Sequence, residues 1–405
     1  MTETSGVDVG GTRRAVSAYA ASATLVRSAD AGAIVGFVLL ASSSPSGASA
    51  AGILAAALTA PHLAGPLVAP ILDRSTRPRT VLATAFVLYA LTVGVAAVSF
   101  THGWLALSVA ALVIAGSCGP LLTGGLSSRL GVMVSDEQSR QRRAQGLDAL
   151  TYGVAAALGP VLVTLVAASA SPVIGVLAIG GMALVAAITL AALPPVRSPV
   201  AADEDAEAPP PVWQSISTLL ANGPLRRVTL CTSMTAVAVG AVPILAVASS
   251  TVHGFGGPEA AAVLATAFGA GTLAGSICVI VRPLRGSPES TVTRAAIGVC
   301  IGLILCALAP MLALAALAYA TTGAIGAIQF AASLAARVEY SPPESRAQVF
   351  MTMAGLKVAC SSAGVALAGL FVTSTPLLVL VGAALMVAGA AIIAALDRFP
   401  VRASA

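Results

Sequence analysis

The chain has 405 residues, of which 57% are hydrophobic and 9% charged, with 21 basic against 16 acidic side chains. Soluble proteins carry about 25% charged residues, and even a large soluble domain leaves about a quarter of its chain's surface in water. A mean hydropathy of +0.95 therefore excludes a soluble protein and turns the apolar surface toward lipid.

A helix needs about 20 apolar residues to cross the hydrocarbon core. In chain order the apolar runs predict helices at Val16–Ala41, Ala48–Pro70, Arg79–Phe100, Trp104–Leu126, Gln145–Ala168 and Pro172–Leu193. A second set is predicted at Arg226–Ala248, Pro258–Val281, Thr293–Leu308, Met311–Ala335, Ala347–Val372 and Pro376–Leu396. The expected fold class is an all-α integral membrane protein of twelve helices in two pseudo-symmetric six-helix bundles, residues 1–194 and 226–405. Between them, residues 195–225 form a linker on the cytoplasmic side. Asp203, Glu204, Asp205, Glu207 and Pro209-Pro210-Pro211 make its first part acidic and proline-rich, a composition that does not fold alone. Trp213, Ile216, Leu219 and Leu220 then share one helical face, as in a short interfacial helix.

The charges test this map. With every second connection and both ends assigned to one side, that side holds 19 of the 21 basic residues; Arg27 and Lys357 fall inside helices. The opposite side holds only His102, His253 and Glu259. The positive-inside rule then expects both ends in the cytoplasm and the protein in the plasma membrane. Cations banded in this way argue against a nucleic-acid partner. The six cysteines all lie in apolar runs without ligand spacing, so neither metal nor cofactor is expected. Three scattered histidines and the absence of a phosphate-binding loop argue against an enzyme and against coupling to ATP. The polar start has no apolar core of its own, so a cleaved signal peptide is not expected.

Between the second and third helices stand Gly65, Ala69, Asp73, Arg74, Arg77 and Arg79. A small residue four before an Asp-Arg pair, followed by further arginines, resembles the signature loop of the major facilitator superfamily. Ala69 replaces the usual glycine and Pro78 interrupts the usual basic pair. Small residues let the two helices approach, while Asp73 can bridge arginines or a helix N-terminus. The resemblance implies a gate that locks the outward-facing state; a solvated turn is the plainer reading. In the fifth helix Gly146, Ala155, Gly159 and Pro160 resemble the family's antiporter motif, with Val163 and Thr164 in place of its last glycines. That likeness implies export. Arg143-Ala144-Gln145 and Arg346-Ala347-Gln348, at equivalent places in the two halves, agree with an internal repeat.

Ionisable residues inside the helices complete the candidates. Each costs about 2.5–3.5 kcal/mol at mid-membrane unless partnered or wet. Arg27 and Asp30, three apart on helix one, are read either as a coupling pair facing substrate, with Asp30 protonatable, or as a self-satisfied ion pair. Asp148 either titrates or meets a loop arginine, and Lys357 awaits a charge partner. His62 would titrate near neutral pH if wet, with packing as the plainer reading. Tyr319, Thr321, Thr322 and Gln329 are candidates for a substrate wall on helix ten. Together these expectations describe a monomeric secondary transporter, rocking about a central site and exporting a small apolar or amphipathic molecule in exchange for protons. Uptake by symport, a membrane-embedded enzyme and a non-transporting sensor are the alternatives.

Overall fold

The computed structural model describes residues 9–42, 47–134, 137–191, 212–256, 258–371 and 376–398. The acidic, proline-rich part of the expected linker lies outside them. Among the described residues the helices are α1 (Val9–Ser42), α2 (Gly47–Thr59), α3 (Gly65–Asp73), α4 (Pro78–Thr101), α5 (Leu105–Pro120), α6 (Leu126–Leu130), α7 (Gln138–Ser169) and α8 (Pro172–Ala191). Next in the chain are α9 (Val212–Ala221), α10 (Gly223–Gly240), α11 (Val242–Val252), α12 (Pro258–Val281), α13 (Pro288–Leu308), α14 (Leu312–Tyr340), α15 (Arg346–Phe371) and α16 (Pro376–Leu396). Large apolar side chains remain uncovered along them, Ile188 at 70%, Leu308 at 69% and Leu370 at 70% among them, as lipid-facing surfaces require.

Among the described residues, eleven spans are long and apolar enough to cross a membrane. The predicted seventh helix is instead divided at Ala241 into α10 and α11. Pro243 stands just past the break; its ring cannot donate to the carbonyl four residues back and collides with it. Other predicted ends fall short because the helices outrun their apolar runs. Helix α7 begins at Gln138 rather than Gln145, α13 at Pro288 rather than Thr293, and α14 continues to Tyr340 rather than Ala335. These extra turns are polar, so hydropathy does not register them.

Two compact units divide the chain. Unit 1 holds residues 1–144, 154–209 and 343–351; unit 2 holds residues 145–153, 210–342 and 352–405. Residues 145–153 of α7 thus belong to unit 2, and the first residues of α15 belong to unit 1. Within unit 1, α1 packs on α8 and α2, α4 on α8 and α5, and α2 on α5. Its core is built around Tyr19, Phe37, Phe86 and Tyr89, all fully buried. Within unit 2, α10 packs on α16, α11 on α12, α13 on α16 and α14, and α12 on α14. One of its apolar clusters gathers Leu245, Leu264 and Tyr319.

Two irregular turns interrupt the crossings of unit 1. The second crossing tightens into a 3-10 turn over Ala60–Ala64, where Pro61 enters without an amide hydrogen to give. The fourth crossing loosens into a π turn over Leu121–Gly125, directly after Pro120. Helices α4 and α5 are joined through Gly103, whose φ of 77° is a conformation that a side chain would strain.

Candidate functional site

The two irregular turns face α1 across the polar heart of unit 1. His62 sits in the 3-10 turn, and its Nε2 lies 3.6 Å from Asp30 Oδ2. The carboxylate side chain is 18% exposed and the imidazole 4%, so the acid is the reachable member. A Cβ on Gly119 would stand 2.1 Å from His62 Nε2, which is why the neighbouring helix carries no side chain there. Tyr89 lies close enough for the charge of Asp30 to act on its hydroxyl, which itself donates to Ala29 O at 3.4 Å.

Arg27 turns elsewhere. Its NH2 donates to Ser127 Oγ at 2.8 Å and makes longer 3.4 Å contacts with Tyr19 Oη and with Thr123 O inside the π turn. The expected Arg27–Asp30 pair is therefore not the organising contact. Three residues advance a helix by about 300°, leaving the two side chains about 60° apart, enough to send one to the fourth crossing and the other to the second. His62, more simply read as a packing residue, is the partner of Asp30.

At the end of α3, Asp73 is 5% exposed. Its two carboxylate oxygens accept the amide N–H groups of Ala347 and Gln348, each at 3.1 Å, at the N-terminus of α15. Arg129 stands 3.6 Å from Asp73 and donates to Leu72 O at 3.2 Å. The bridging cation is thus Arg129 from the fourth crossing, while Arg74 and Arg77 point to the surface and Arg79 is half-buried. Ala69 is fully buried, and a Cβ on Gly65 would meet Met351 O at 2.9 Å. The small residues of this segment therefore sit where backbone approaches backbone.

The helix-five residues divide between the units. A Cβ on Gly159 would lie 2.2 Å from Ser28 O of α1, so only glycine permits that approach. Ala155 is 1% exposed and Pro160 continues α7 without ending it. Gly146 belongs to unit 2, with Val279 of α12 against it.

Unit 2 brings Asp148 and Lys357 into one cluster. Lys357 Nζ stands 3.6 Å from the centroid of the Phe330 ring and 5.4 Å from that of Tyr152. Those two rings meet edge to face at 5.0 Å. Asp148, with no exposed surface, and Tyr152 are electrostatic neighbours of Arg337. Arg337 is a correction to the charge map: placed by hydropathy in a loop, it lies in the last turn of α14 and is 1% exposed. Its place on the buried face is present in the spacing Gln329, Ser333, Arg337, four residues apart.

The polar residues expected on helix ten divide, with Thr321 exposed and Tyr319, Thr322 and Gln329 buried. Tyr319 Oη is 3.0 Å from Ser249 Oγ, and Gln329 Nε2 donates to Val292 O at 3.4 Å. At 2% exposure each, these two side chains fasten helices together.

An ion network in another part of unit 2 has no counterpart among the sequence expectations. Glu289 accepts from Arg227 Nε and Arg398 Nε, both at 2.8 Å. Asp397 accepts from Arg226 at 2.6 Å and from Arg227 at 3.1 Å. Arg226, bonded to Asp397, holds that carboxyl below the ordinary range. In sequence these arginines form only a topological band, because their carboxylate partners lie 62 to 171 residues away.

The fold has counterparts among known proteins. A family profile described as Major Facilitator Superfamily matches residues 20–357. The human organic anion transporter MFSD10 superposes with a TM-score of 0.74 at 14% identity, over 95% of this chain and 99% of that one. The proton:xylose symporter XylE gives 0.70 at 16% identity, over 96% of each chain. The E. coli fucose:proton symporter FucP gives 0.71 at 15% identity, over 95% and 98%. At such identities the likeness is one of fold: twelve membrane helices in two six-helix bundles. No curated protein sequence matches the chain.

Proposed function

The chain belongs to the major facilitator superfamily, and from that premise we propose that it is a proton-coupled exporter of a small molecule, working by alternating access. The observation that carries this reading is the Asp30–His62 pair. An isolated carboxylate in the membrane is expensive, and such groups mark proton or ion paths. Asp30 is partly reachable, has a titratable partner, and lies beside two departures from regular helix, the kind of turn that recurs at functional positions. In this reading Asp30 takes and releases the proton, His62 shares its charge, and no bond of the substrate is made or broken.

Asp73 serves as the releasable catch. Its carboxylate holds the amide hydrogens that begin α15, where the helix dipole favours a negative charge. Freeing that end is the local event that a rocking cycle needs, with bundles 1–194 and 226–405 as the moving bodies and linker 195–225 between them. Export rather than import is supported by the Gly146, Ala155, Gly159 and Pro160 pattern. Symport is the second reading, favoured by the two proton symporters among the structural relatives. The protein acts as a monomer in the plasma membrane with both ends in the cytoplasm.

Proton movement in inside-out vesicles tests the proposal while a panel of small compounds is added. Compound-triggered proton release is expected from the wild type and none from Asp30→Asn, with equal amounts of protein in the membrane. Release that survives the substitution would remove Asp30 from coupling, and proton uptake on adding compound would replace export by symport.

A further inference from the structure

Outside its ion network, unit 2 exposes three arginines that its carboxylates do not reach. Arg282 and Arg285 stand in the turn that joins α12 to α13, and Arg294 stands in the second turn of α13; all three are exposed. Among the described residues none of their side chains has an ion pair or a hydrogen bond. The one acid between positions 282 and 294, Glu289, is buried and accepts from Arg227 and Arg398 instead. This stretch therefore presents three positive charges and no negative one. Its shape is fixed from within. Gly286 takes a φ of 77°, Ser287 Oγ accepts from the Ser290 amide at 3.3 Å, and Ser287 also shares a hydrogen bond with Tyr340 at the end of α14.

The position of Arg294 says what those charges face. It lies about 9 Å along the helix axis from Pro288, inside the span Pro288–Leu308. Ile297, Ile301, Leu305 and Leu308 follow it, and all five side chains point within about 80° of one another around the axis. All five are exposed. An exposed stripe so apolar lies against acyl chains, and Arg294 stands at its charged end. A cation among acyl chains is costly, and the long stem of arginine carries its head back to the interface. Arg282, which follows the exposed Val281 at the end of α12, and Arg285 belong to that same interface. Both helices pack on α14, so the three arginines are carried by one rigid framework.

We propose that Arg282, Arg285 and Arg294 bind the headgroup of an anionic phospholipid. Its phosphodiester meets the guanidinium groups, which suit phosphate in charge and in shape, and an acyl chain follows Ile297, Ile301 and Leu305. Basic pockets at the ends of membrane helices take such headgroups. A glycerol headgroup leaves the phosphate charge unopposed, whereas a choline headgroup brings a cation among three cations and is disfavoured. Free phosphate has the charge without the chain. In unit 1, Arg74 and Arg77 are exposed as well, but both precede the span Pro78–Thr101 and stand on no apolar stripe. They are the built-in comparison, equal in kind of charge and lacking the lipid-facing surface. The proposal needs only a protein in a bilayer and is independent of cargo, direction and coupling ion.

Native mass spectrometry of the delipidated full-length protein in detergent tests the site, with dioleoylphosphatidylglycerol or dioleoylphosphatidylcholine added. Wild type is expected to hold one phosphatidylglycerol about tenfold more tightly than phosphatidylcholine. Arg294→Gln should lower that preference about fivefold, as one arginine near a membrane surface is worth. Arg282→Gln with Arg285→Gln should abolish it, and Arg74→Gln with Arg77→Gln should leave it as in the wild type. Millimolar inorganic phosphate should not displace the bound lipid. Equal retention of the two lipids by the wild type, or a preference unchanged in both unit 2 variants, would overturn the site. So would an equal loss in the unit 1 variant, which would reduce the effect to overall charge, or displacement by phosphate, which would make it a site for a free anion. Thermal melting of each variant confirms folding; if Arg294→Gln does not fold, the wild-type comparison and the turn variant still decide. Asp30→Asn should hold phosphatidylglycerol as the wild type does, so the outcome of the proton experiment leaves this one readable.

Discussion

The two units solve the same packing problem and then diverge in chemistry. In unit 1 the first, third and fourth crossings pair with the sixth, second and each other in the pattern that α10, α13 and α14 repeat with α16 and α12 in unit 2. Yet unit 1 keeps an acid, a histidine and an arginine beside a 3-10 turn and a π turn deep in the membrane. Unit 2 has its break at α10–α11, an ammonium on aromatic rings, and a chain of ion pairs at one end. Helix pairing in lipid is set by how closely backbones approach, through small residues. It is therefore indifferent to which few polar groups a crossing carries, and a repeat can keep its scaffold while each copy acquires its own task.

The comparison is broken most forcibly at the seams. A Cβ on Gly159 meets Ser28 O at 2.2 Å in unit 1, and one on Gly271 meets Ala320 O at 1.8 Å in unit 2. Gly159→Val and Gly271→Val should each lose about 3 kcal/mol or more, with lower melting temperatures in detergent, whereas Gly52→Ala, which meets nothing within 4 Å, should not. A large loss in one unit alone would show that the two seams are not equivalent. Next comes the ion network, which has no counterpart among the described contacts of unit 1. Glu289→Gln takes the charge from a residue bonded to two arginines and should cost about 2 kcal/mol. Arg226→Gln, at a pair whose arginine is 41% exposed, should cost under about 1 kcal/mol. Equal melting shifts for both would show the network to be a surface feature.

Smaller again is the effect of Asp73→Asn, which keeps the shape of the cap but not its charge. About 1 kcal/mol is expected, read as a lower melting temperature, with faster proteolysis at the start of α15 if the catch is freed. The smallest effect belongs to Asp397, whose carboxyl is held low by Arg226. A carboxyl depressed in the folded state stabilises above its unfolded value and loses that contribution as pH falls through the folded one. Wild type and Asp397→Asn should thus melt differently at pH 7 and converge only below the ordinary carboxylate range, about pH 4. A gap that persists at pH 2 would assign the difference to packing.

The crossings are legible because runs of apolar residues near membrane length have few other uses, and because the arginines fall on one side of the map they imply. What escapes a linear reading is whatever depends on rotation about a helix axis. Asp30 and His62 are 32 residues apart, and nothing in either stretch says which way the second crossing is turned once Pro61 tightens it. Arg337 is misplaced by hydropathy because a helix that continues past its apolar stretch looks there like a loop. Tyr152 and Phe330 escape for a simpler reason: aromatic residues in apolar runs look like filling until a cation is seen above them.

The π turn of the fourth crossing behaves like a dislocation in a crystal. It stores one surplus residue, so the stretches before and after it are each regular but mutually out of phase by about 100°. Arg27, reaching across from α1 to Thr123 O and Ser127, pins that fault to its address. Deleting any single residue from Leu121–Gly125 would heal the helix and swing Ser127 out of the grip of Arg27, without altering a charge or an apolar run. A hydropathy profile would still show the same crossing, so in this protein a one-residue gap in an alignment can carry more information than many substitutions.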